Sequence, residues 1–283
     1  SGFARSETWS AGDLIPPPQL DIGMVSAIPR DRVSGDITHI LEKAISERGA
    51  LSEAEIERMM QARGPDFTAV CQAADKYRKV VAGDEVTYCV NRNINYTNIC
   101  YFKCQFCAFS KGKMSENLRG RPYDLAHEEI MRRTKEAWDR GASEVCLQGG
   151  IHPEYDGNTY IDICRSIKQV VPEMHIHAFS PLEVWQGAKT LGLPIPDFLR
   201  ELKEAGLGTL PGTAAEILDD VVRKDLCPDK INTSQWLEVR EAAHNEGFNT
   251  TATIMYGHLE RYRHVAKHLL RVKNLQMKTG GFT

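Results

Sequence analysis

The sequence has little of what marks a secreted, membrane-spanning or nucleic-acid-binding protein. No apolar run approaches the roughly 20 residues that span a bilayer, and the N-terminus lacks the basic, apolar and cleavage regions of a signal peptide. There is also no excess of positive charge, since 35 Lys and Arg against 38 Asp and Glu give a formal net charge of -3. This balance argues against a nucleic-acid or anionic-membrane partner. We therefore expect a cytoplasmic protein that acts on small molecules.

Cysteine is scarce as well, because eight in 283 residues are too few for a disulfide scaffold. Three of the eight, Cys100, Cys104 and Cys107, nevertheless fall close together in the spacing CxxxCxxC, with aromatic residues between and after them. In a reducing compartment, clustered thiols are better interpreted as metal ligands than as disulfide partners. The remaining cysteines are scattered, and we expect them to be small buried apolar residues.

Composition divides the chain into three parts. Residues 1–35 are polar with three consecutive prolines, which is typical of a linker. Residues 36–83 carry apolar residues at helical spacing and form a helical lead-in. From residue 84 to 283, strand candidates alternate with amphipathic helices that end at glycine. The strand candidates are 86–96, 143–148, 174–180, 207–212 and 249–257.

This alternation indicates βαβ units and a parallel sheet. The first strand lacks a following GxGxxG, which disfavours a dinucleotide-binding fold, so the expected architecture is an α/β TIM-type (βα) barrel. Only five units can be counted, with "TGGFT" as the start of a sixth strand, whereas a closed TIM barrel needs about eight. We therefore expect the barrel to be incomplete in this chain, and the absent initial Met points the same way.

Three thiols directly after the first strand can hold three corners of an iron-sulfur cubane and leave one iron open. An electron-carrier cluster takes four thiolates, and a structural zinc site takes four ligands. Neither has an obvious fourth ligand here, because no other cysteine is near and His127 lies beyond a charged loop. The spacing favours the open cluster; a zinc or iron-sulfur binding module and incidental packing are the alternatives.

A CxxxCxxC loop after the first strand of a βα barrel resembles the radical S-adenosylmethionine (SAM) superfamily. The resemblance implies a [4Fe-4S] cluster on Cys100, Cys104 and Cys107, with SAM chelating the open iron. It implies that Phe106 approaches the adenine. It also implies that the glycine-rich segment Gln148, Gly149 and Gly150 holds the methionine amino group of SAM.

Longer motifs refine this resemblance. "NRNINYTNIC", "EVCLQGGIHPE", "HIHAFSPLEV", "LPGTAAEIL" and "TATIMYGHLE" resemble the family of tyrosine-using FO synthase enzymes, which build the deazaflavin of coenzyme F-420. The family's chemistry begins with reductive cleavage of SAM to a 5'-deoxyadenosyl radical. It cleaves L-tyrosine and joins the 4-hydroxybenzyl group to 5-amino-6-(D-ribitylamino)uracil. An external electron donor and a second FO synthase module, in cis or in trans, are implied partners.

The alternative within the superfamily is an enzyme of the futalosine route to menaquinone, which shares the "NRNINYTN" and "HxFSPxE" themes. "PGTAAEIL" favours the FO synthase family, because the cyclic dehypoxanthine futalosine enzyme more often has "PGGGAEIL".

Polar residues on the strands are the candidate substrate ligands. Asn91, Asn93 and Asn95 share one face of the first strand, and Asn is poorly suited to strands. We expect Asn93 and Asn95 to hydrogen-bond a polar substrate; the alternative is that they cap turns at the strand's end.

On the third strand, His175 and His177 face the same way, and His177 lies nearer the C-terminal end, where barrel sites form. We expect His177 to contact tyrosine or its radical fragment, with a satisfied core histidine as the alternative; His175 is expected to be a core histidine. Tyr256 and His258 end the fifth strand at the same rim, as catalytic and substrate-binding candidates respectively.

Two strand-to-helix turns complete the candidate site. Ser180 begins a Ser-x-x-Glu capping pattern, and Thr213 is expected to cap the helix after the fourth strand, with Glu216 near its third position. The resemblance makes Ser180 a candidate for the SAM ribose. It makes Glu216 a candidate for the SAM ribose or the substrate amine, and Thr213 for the substrate.

Overall fold

A computed structural model describes residues 32–47, 49–110 and 121–283. The chain divides into two compact units, one ending at Glu85 and one running from Val86 to Thr283. The predicted linker lies almost entirely outside the described residues. No described helix combines the length and apolar character needed to cross a membrane.

The first unit contains three helices, as the apolar spacing predicts: α1 (Gly35–Ser46), α2 (Glu53–Met60) and α3 (Pro65–Ala82). Ser52 and Glu55 form a Ser-x-x-Glu capping box at the start of α2, in which the hydroxyl of Ser52 accepts a hydrogen bond from the backbone N–H of Glu55. Arg58 pairs with Asp36 at 2.6 Å and with Asp66 at 2.9 Å. This one guanidinium therefore joins all three helices.

The second unit alternates strands and helices. Its elements are β1 (Asn91–Asn95), α4 (His127–Asp139), β2 (Glu144–Gln148), α5 (Gly157–Val170), β3 (His175–Ala178), α6 (Pro181–Leu191), α7 (Ile195–Glu204), β4 (Thr209–Leu210), α8 (Asp220–Leu226), α9 (Thr233–Asn245), β5 (Asn249–Thr250) and α10 (Tyr262–Thr279). The strands are parallel and pair in chain order, β1 to β5. This is the arrangement of the expected TIM-type (βα) barrel.

The two faces of the sheet differ sharply. Ile94, Leu147 and Ile176 are fully buried beneath the helices. On the other face, one row of side chains runs in register across all five strands, and none of its members is fully buried. The row is Asn93, Cys146, His177, Thr209 and Asn249. Side-chain alternation along parallel strands thus produces a polar inner face.

The strands are shorter than predicted at both ends of the sheet. Residues 86–90 precede β1, and Val86 and Tyr88 are each 88% exposed. Within this stretch, the carbonyl of Val90 accepts a hydrogen bond from the N–H of Ser143 at 3.0 Å. After β5 the chain leaves the ladder, because Thr251 and Thr253 bond the backbone of Gly212 through their hydroxyls. The C-terminal segment forms a parallel bridge between Thr250 and Phe282, where the sixth strand is predicted to begin.

The helix predicted directly after β4 is wrong in position. It begins at Asp220, and the Asp219 carboxylate accepts the capping hydrogen bond from the N–H of Val221 at 3.1 Å. Ala214 and Glu216 instead adopt left-handed backbone, with φ of 62° and 47°. Thr213 therefore caps no helix, and Glu216 does not lie in a first helical turn.

A buried arginine explains how this irregular segment is tolerated. The Arg223 guanidinium, on a residue only 3% exposed, donates hydrogen bonds to the carbonyl oxygens of Ala215 at 2.6 Å and Ile231 at 2.5 Å. These carbonyls would otherwise lack partners in a buried loop. The β4–α8 loop is held by a side chain from the helix that follows it.

Candidate functional site

A cavity of about 420 Å³ lies where the strands end. Its walls come from the segments that follow all five strands, as expected for the carboxyl face of a parallel sheet. Twelve of the residues singled out from the sequence line it: Asn93, Asn95, Cys100, Cys104, Phe106, Cys107, Gln148, Gly149, Gly150, Ser180, Thr213 and Glu216. One tertiary site thus collects side chains separated by more than 120 positions.

The cysteine loop, residues 97–110, is anchored at both sides of the cavity. At its start, the N–H of Gly150 donates to the carbonyl of Thr97 at 2.9 Å, and the N–H of Tyr101 donates to the carbonyl of Ile151 at 3.2 Å. Opposite, the N–H of Gln105 donates to the carbonyl at the end of α8 at 3.1 Å. The loop therefore spans from the end of β2 to the end of α8.

All eight cysteines are free thiols, and the three of the loop are each partly buried. Burial raises the pKa of Cys104 to about 11, against the opposing effect of the Lys230 ammonium. The backbone N–H of Ser110 points at the sulfur of Cys107 at 3.3 Å. Of the other cysteines, Cys71 and Cys89 are exposed, contrary to expectation.

The three thiols provide the donor set of an open iron-sulfur cluster. A cubane takes each thiolate on a different iron, and Cys100, Cys104 and Cys107 all line the one cavity. Among the residues that the structure describes, no group of three His, Cys, Asp or Glu side chains that could hold a metal ion is found.

Gly149 and Gly150 line the cavity beside the start of the cysteine loop, and packing requires both. A Cβ on Gly149 would lie 2.3 Å from the ring of Tyr96, and a Cβ on Gly150 would lie 2.2 Å from the carbonyl oxygen of Ile99. Any side chain here would push β1 and the cysteine loop away from β2. The glycines let the loop and the end of β2 approach each other closely.

Glu183 is a buried carboxylate in the cavity wall that was interpreted from the sequence only as part of a helix cap. Ser180 and Glu183 do form that capping box on α6, with the N–H of Ser180 donating to the Glu183 carboxylate at 2.7 Å. The hydroxyl of Tyr96 donates to the same carboxylate. Burial raises the pKa of Glu183, and the hydrogen bonds from Ser180 and Tyr96 oppose that rise.

Lys230 was not singled out from the sequence, yet it lines the same cavity. Its ammonium lies 2.6 Å from the Glu216 carboxylate and 5.5 Å from the centroid of the Phe106 ring. Burial disfavours the charged ammonium, but the Glu216 carboxylate and nearby thiol groups outweigh this and raise the pKa of Lys230. Lys230 thus remains a cation beside the cysteine loop.

Three sequence candidates do not line the cavity: His177, Tyr256 and His258. Nδ1 of His177 and Nε2 of His175 share the Thr209 hydroxyl at 2.7 and 2.8 Å, and burial lowers the pKa of His177. The expectation that His175 is a core residue is wrong, because its side chain is 41% exposed on the inner face.

The other two lie in the loop after β5. Tyr256 is 80% exposed. The His258 ring donates from Nε2 to the carbonyl of Met255 at 2.9 Å. Both residues therefore lie beyond the end of β5, which is Thr250, and outside the lining of the cavity that holds the cysteines.

Comparison with protein families gives one match that spans most of this unit. The family model described as the radical SAM superfamily matches residues 94–272, from within β1 to within α10. The match includes the cysteine loop, the glycine pair and the β4–α8 loop.

Relatives of known name are considerably more similar. The chain is 45% identical over 253 residues to the FO synthases of Streptomyces coelicolor and Mycobacterium tuberculosis, covering 89% of this chain and 29% of each of those proteins. It is 45% identical over 244 residues to the 5-amino-6-(D-ribitylamino)uracil--L-tyrosine 4-hydroxyphenyl transferase of Methanothermobacter thermautotrophicus, covering 86% of this chain and 65% of that one. The chain thus spans less than a third of the FO synthases and about two thirds of the transferase.

Among solved structures, the chain resembles HydG, a maturase of the [FeFe]-hydrogenase, with a TM-score of 0.64 and 15% identity over 88% of this chain and 53% of that one. It resembles methylornithine synthase (PylB) with a TM-score of 0.64 and 20% identity over 83% of this chain and 64% of that one. At these identities the likeness shows a shared fold.

Proposed function

The chain belongs to the radical SAM superfamily, and we propose that it is the tyrosine-using transferase of deazaflavin synthesis. In this reaction L-tyrosine is cleaved, and its 4-hydroxybenzyl group is joined to 5-amino-6-(D-ribitylamino)uracil. The names of the 45% identical relatives support this choice of substrates. The proposal includes a one-electron donor and, as in FO synthase, a second radical SAM module that uses the adduct.

The observation that carries the proposal is the placement of three thiols around one cavity beside a glycine pair. The family implies a [4Fe-4S] cluster and SAM. Cys100, Cys104 and Cys107 hold three irons of that cluster. When bound, the cluster and SAM supply the carbon-centred radical that starts the reaction.

Residues around the thiols are proposed to hold SAM. Gly149 and Gly150 line the cavity next to the Gln148 amide, and their backbone groups are proposed to bind the amino group of SAM. Phe106 offers an apolar surface between two of the cysteines, and Ser180 and Glu216 line the wall nearer β3 and β4. The Glu216 carboxylate already accepts from Lys230, so a ligand amine or hydroxyl must share it.

The polar substrate is proposed to bind at the mouth of the sheet. Asn93 and Asn95 lie on β1 and line the cavity, with the Asn93 amide donating to Asn95 at 3.3 Å. Within the described part of the chain, the Asn93 amide donates to the other side chain of the pair and to no turn carbonyl, which favours ligand binding over turn capping. Thr213 lies across the cavity and offers an unpaired, buried hydroxyl.

Apolar rings complete the enclosure. Phe102 and Phe109 line the cavity with the cysteines and keep water from a reactive intermediate. We retain His177, Tyr256 and His258 as candidates that act from the inner face and rim.

The test is a product assay on the full-length protein, reconstituted anaerobically with iron and sulfide. With SAM, dithionite, tyrosine and the ribitylaminouracil, mass spectrometry is expected to detect 5'-deoxyadenosine and the tyrosine-derived adduct. Cys104→Ala is expected to abolish both products, whereas Cys164→Ala, buried in α5, retains them.

Other outcomes would redirect the proposal. Turnover only with a futalosine-type substrate would assign the chain to the menaquinone route. A colourless protein with one tightly bound zinc would overturn the radical mechanism and favour a binding module.

A further inference from the structure

Lys230 places a buried positive charge against the cysteine loop. Its side chain and that of its partner Glu216 are only 13% and 14% exposed. The ammonium lies over the ring of Phe106, which separates Cys104 from Cys107 in the chain. Attraction between charges is much stronger here than at the surface, because little water screens it.

Lys230, rather than Glu216, is the member of the pair that lies over an aromatic ring of the cysteine loop. Its ammonium is 5.5 Å from the centroid of the Phe106 ring, and both residues line the cavity with the three cysteines. The buried guanidinium of Arg223 donates to the backbone carbonyls of Ala215 and Ile231, in the loops before and after α8. The positive member of the Lys230–Glu216 pair is therefore the one placed against the cysteine loop.

We propose that Lys230 raises the reduction potential of the cluster held by Cys100, Cys104 and Cys107, and that Glu216 moderates this effect. Reduction adds one electron, taken from an external one-electron donor, to a cluster enclosed by the cavity. A fixed cation nearby stabilises the added negative charge, and cluster potentials respond to charge and exposure in this way. Lys230 is thus a tuning residue that needs no contact with substrate.

This inference rests on family membership and on the three cysteine ligands, and not on tyrosine as the substrate. It can therefore be tested without SAM, tyrosine or turnover. A negative tyrosine assay would not contradict the inference about Lys230. An unchanged cluster potential in Lys230→Met would not contradict the proposed transferase activity.

The experiment measures the cluster potential of the reconstituted full-length protein by EPR-monitored titration with dithionite and mediators. Iron and sulfide are quantified first in every variant. Lys230→Met is expected to reduce the equilibrium constant for one-electron reduction about tenfold, a shift of about 59 mV to lower potential. Lys230→Arg keeps the charge and is expected to stay close to the original value. Lys224→Met, at an exposed position of α8, is the matched control and is expected to cause no shift.

Substitution of the partner residue, Glu216, is an independent test in which the opposite shift in cluster potential is expected. Glu216→Gln is expected to raise the potential, and combining it with Lys230→Met is expected to bring the value back towards that of the original protein. An unchanged potential in Lys230→Met with a full cluster would overturn the inference. If Lys230→Met fails to assemble a cluster, Glu216→Gln decides: a raised potential supports the role of the pair's charge, and an unchanged potential refutes it.

Discussion

Tyr96, directly after β1, donates a hydrogen bond to Glu183 in the first turn of α6, and both side chains are buried. The same carboxylate accepts from the backbone of Ser180. One buried carboxylate therefore connects the ends of two strands beneath the cavity wall. These hydrogen bonds hold the segments that follow β1 and β3 together beside the cavity.

Removing the Tyr96 hydroxyl tests that connection. Tyr96→Phe keeps the ring but removes one hydrogen-bond donor from the buried Glu183 carboxylate. We therefore expect the free energy of unfolding of the second unit to fall by about 1–3 kcal/mol. Urea unfolding measures the loss. Tyr88→Phe, at a position 88% exposed, should change stability by less than about 0.5 kcal/mol. Equal stabilities of the two variants would contradict the role assigned to the hydroxyl.

The ligand set can be tested with two neighbouring cysteines. Cys104→Ala is expected to lose cluster iron and sulfide, whereas Cys227→Ala retains them, because Cys227 is 2% exposed and packs against Ile217 and Leu226. Iron and sulfide per chain after anaerobic reconstitution are the measurement. Loss of the cluster in both variants would indicate four thiolate ligands and an electron-carrier site, without an iron open to SAM.

Gly150→Ala tests the close approach of β2 and the cysteine loop. The new methyl group would lie 2.2 Å from the carbonyl oxygen of Ile99, so the loop must move. We expect a cost of about 1–3 kcal/mol and reduced iron content. Gly35→Ala, which meets no atom within 4 Å, is the matched control and should change neither quantity. Normal iron content in Gly150→Ala would show that the loop tolerates displacement.

Stability should fall in mild acid because of His268. Burial lowers its pKa from 6.5 to about 4, and its Nδ1 accepts a hydrogen bond from the N–H of Leu218 at 3.0 Å. Between these values the unfolded chain binds a proton that the folded chain does not, so stability is greatest above pH 6.5 and declines towards pH 4. The loss from this residue is at most about 3 kcal/mol.

Urea unfolding across that pH range measures the slope. His268→Gln should flatten it, although His244, whose pKa burial also lowers to about 4, keeps part of it. His39→Gln, at an exposed position of α1, should leave the slope unchanged. An identical slope in His268→Gln would show that His268 does not cause the decline.

Features set by neighbouring residues were predictable. The CxxxCxxC spacing, the glycines that end α4, α7 and α9, and the capping boxes at Ser52 and Ser180 all depend on residues a few positions apart. Local hydrogen bonds and backbone preferences act over that range, so the sequence shows them directly.

Burial was not predictable from the same motifs. Ser52–Glu55 and Ser180–Glu183 are the same capping box, yet the first is exposed and the second forms part of the cavity wall. The difference comes from Tyr96, 87 positions from Glu183. Only the tertiary fold, which brings the end of β1 next to the start of α6, places that donor beside Glu183.

The β4–α8 loop shows how tertiary contacts override local preference. Thr213 and Glu216 have the spacing of a helix start, but the backbone of this segment is left-handed and irregular. Arg223 donates hydrogen bonds to its carbonyl oxygens in place of a helical ladder. This geometry brings Glu216 to Lys230 across 14 positions.

By itself, the sequence determined the alternation of strands and helices, the cysteine loop with its three thiols, and membership in a family that the loop already indicated. The spacing of apolar residues, the residues that cap helices and the spacing of the cysteines are local properties of the chain. They can therefore be interpreted from the sequence without knowledge of the fold. Only the tertiary structure decided which polar residues share the cavity, why Gly149 and Gly150 must lack a Cβ, and that Lys230 lies against the cysteines. Those outcomes depend on contacts between distant segments, whose geometry is set by the packing of the whole sheet.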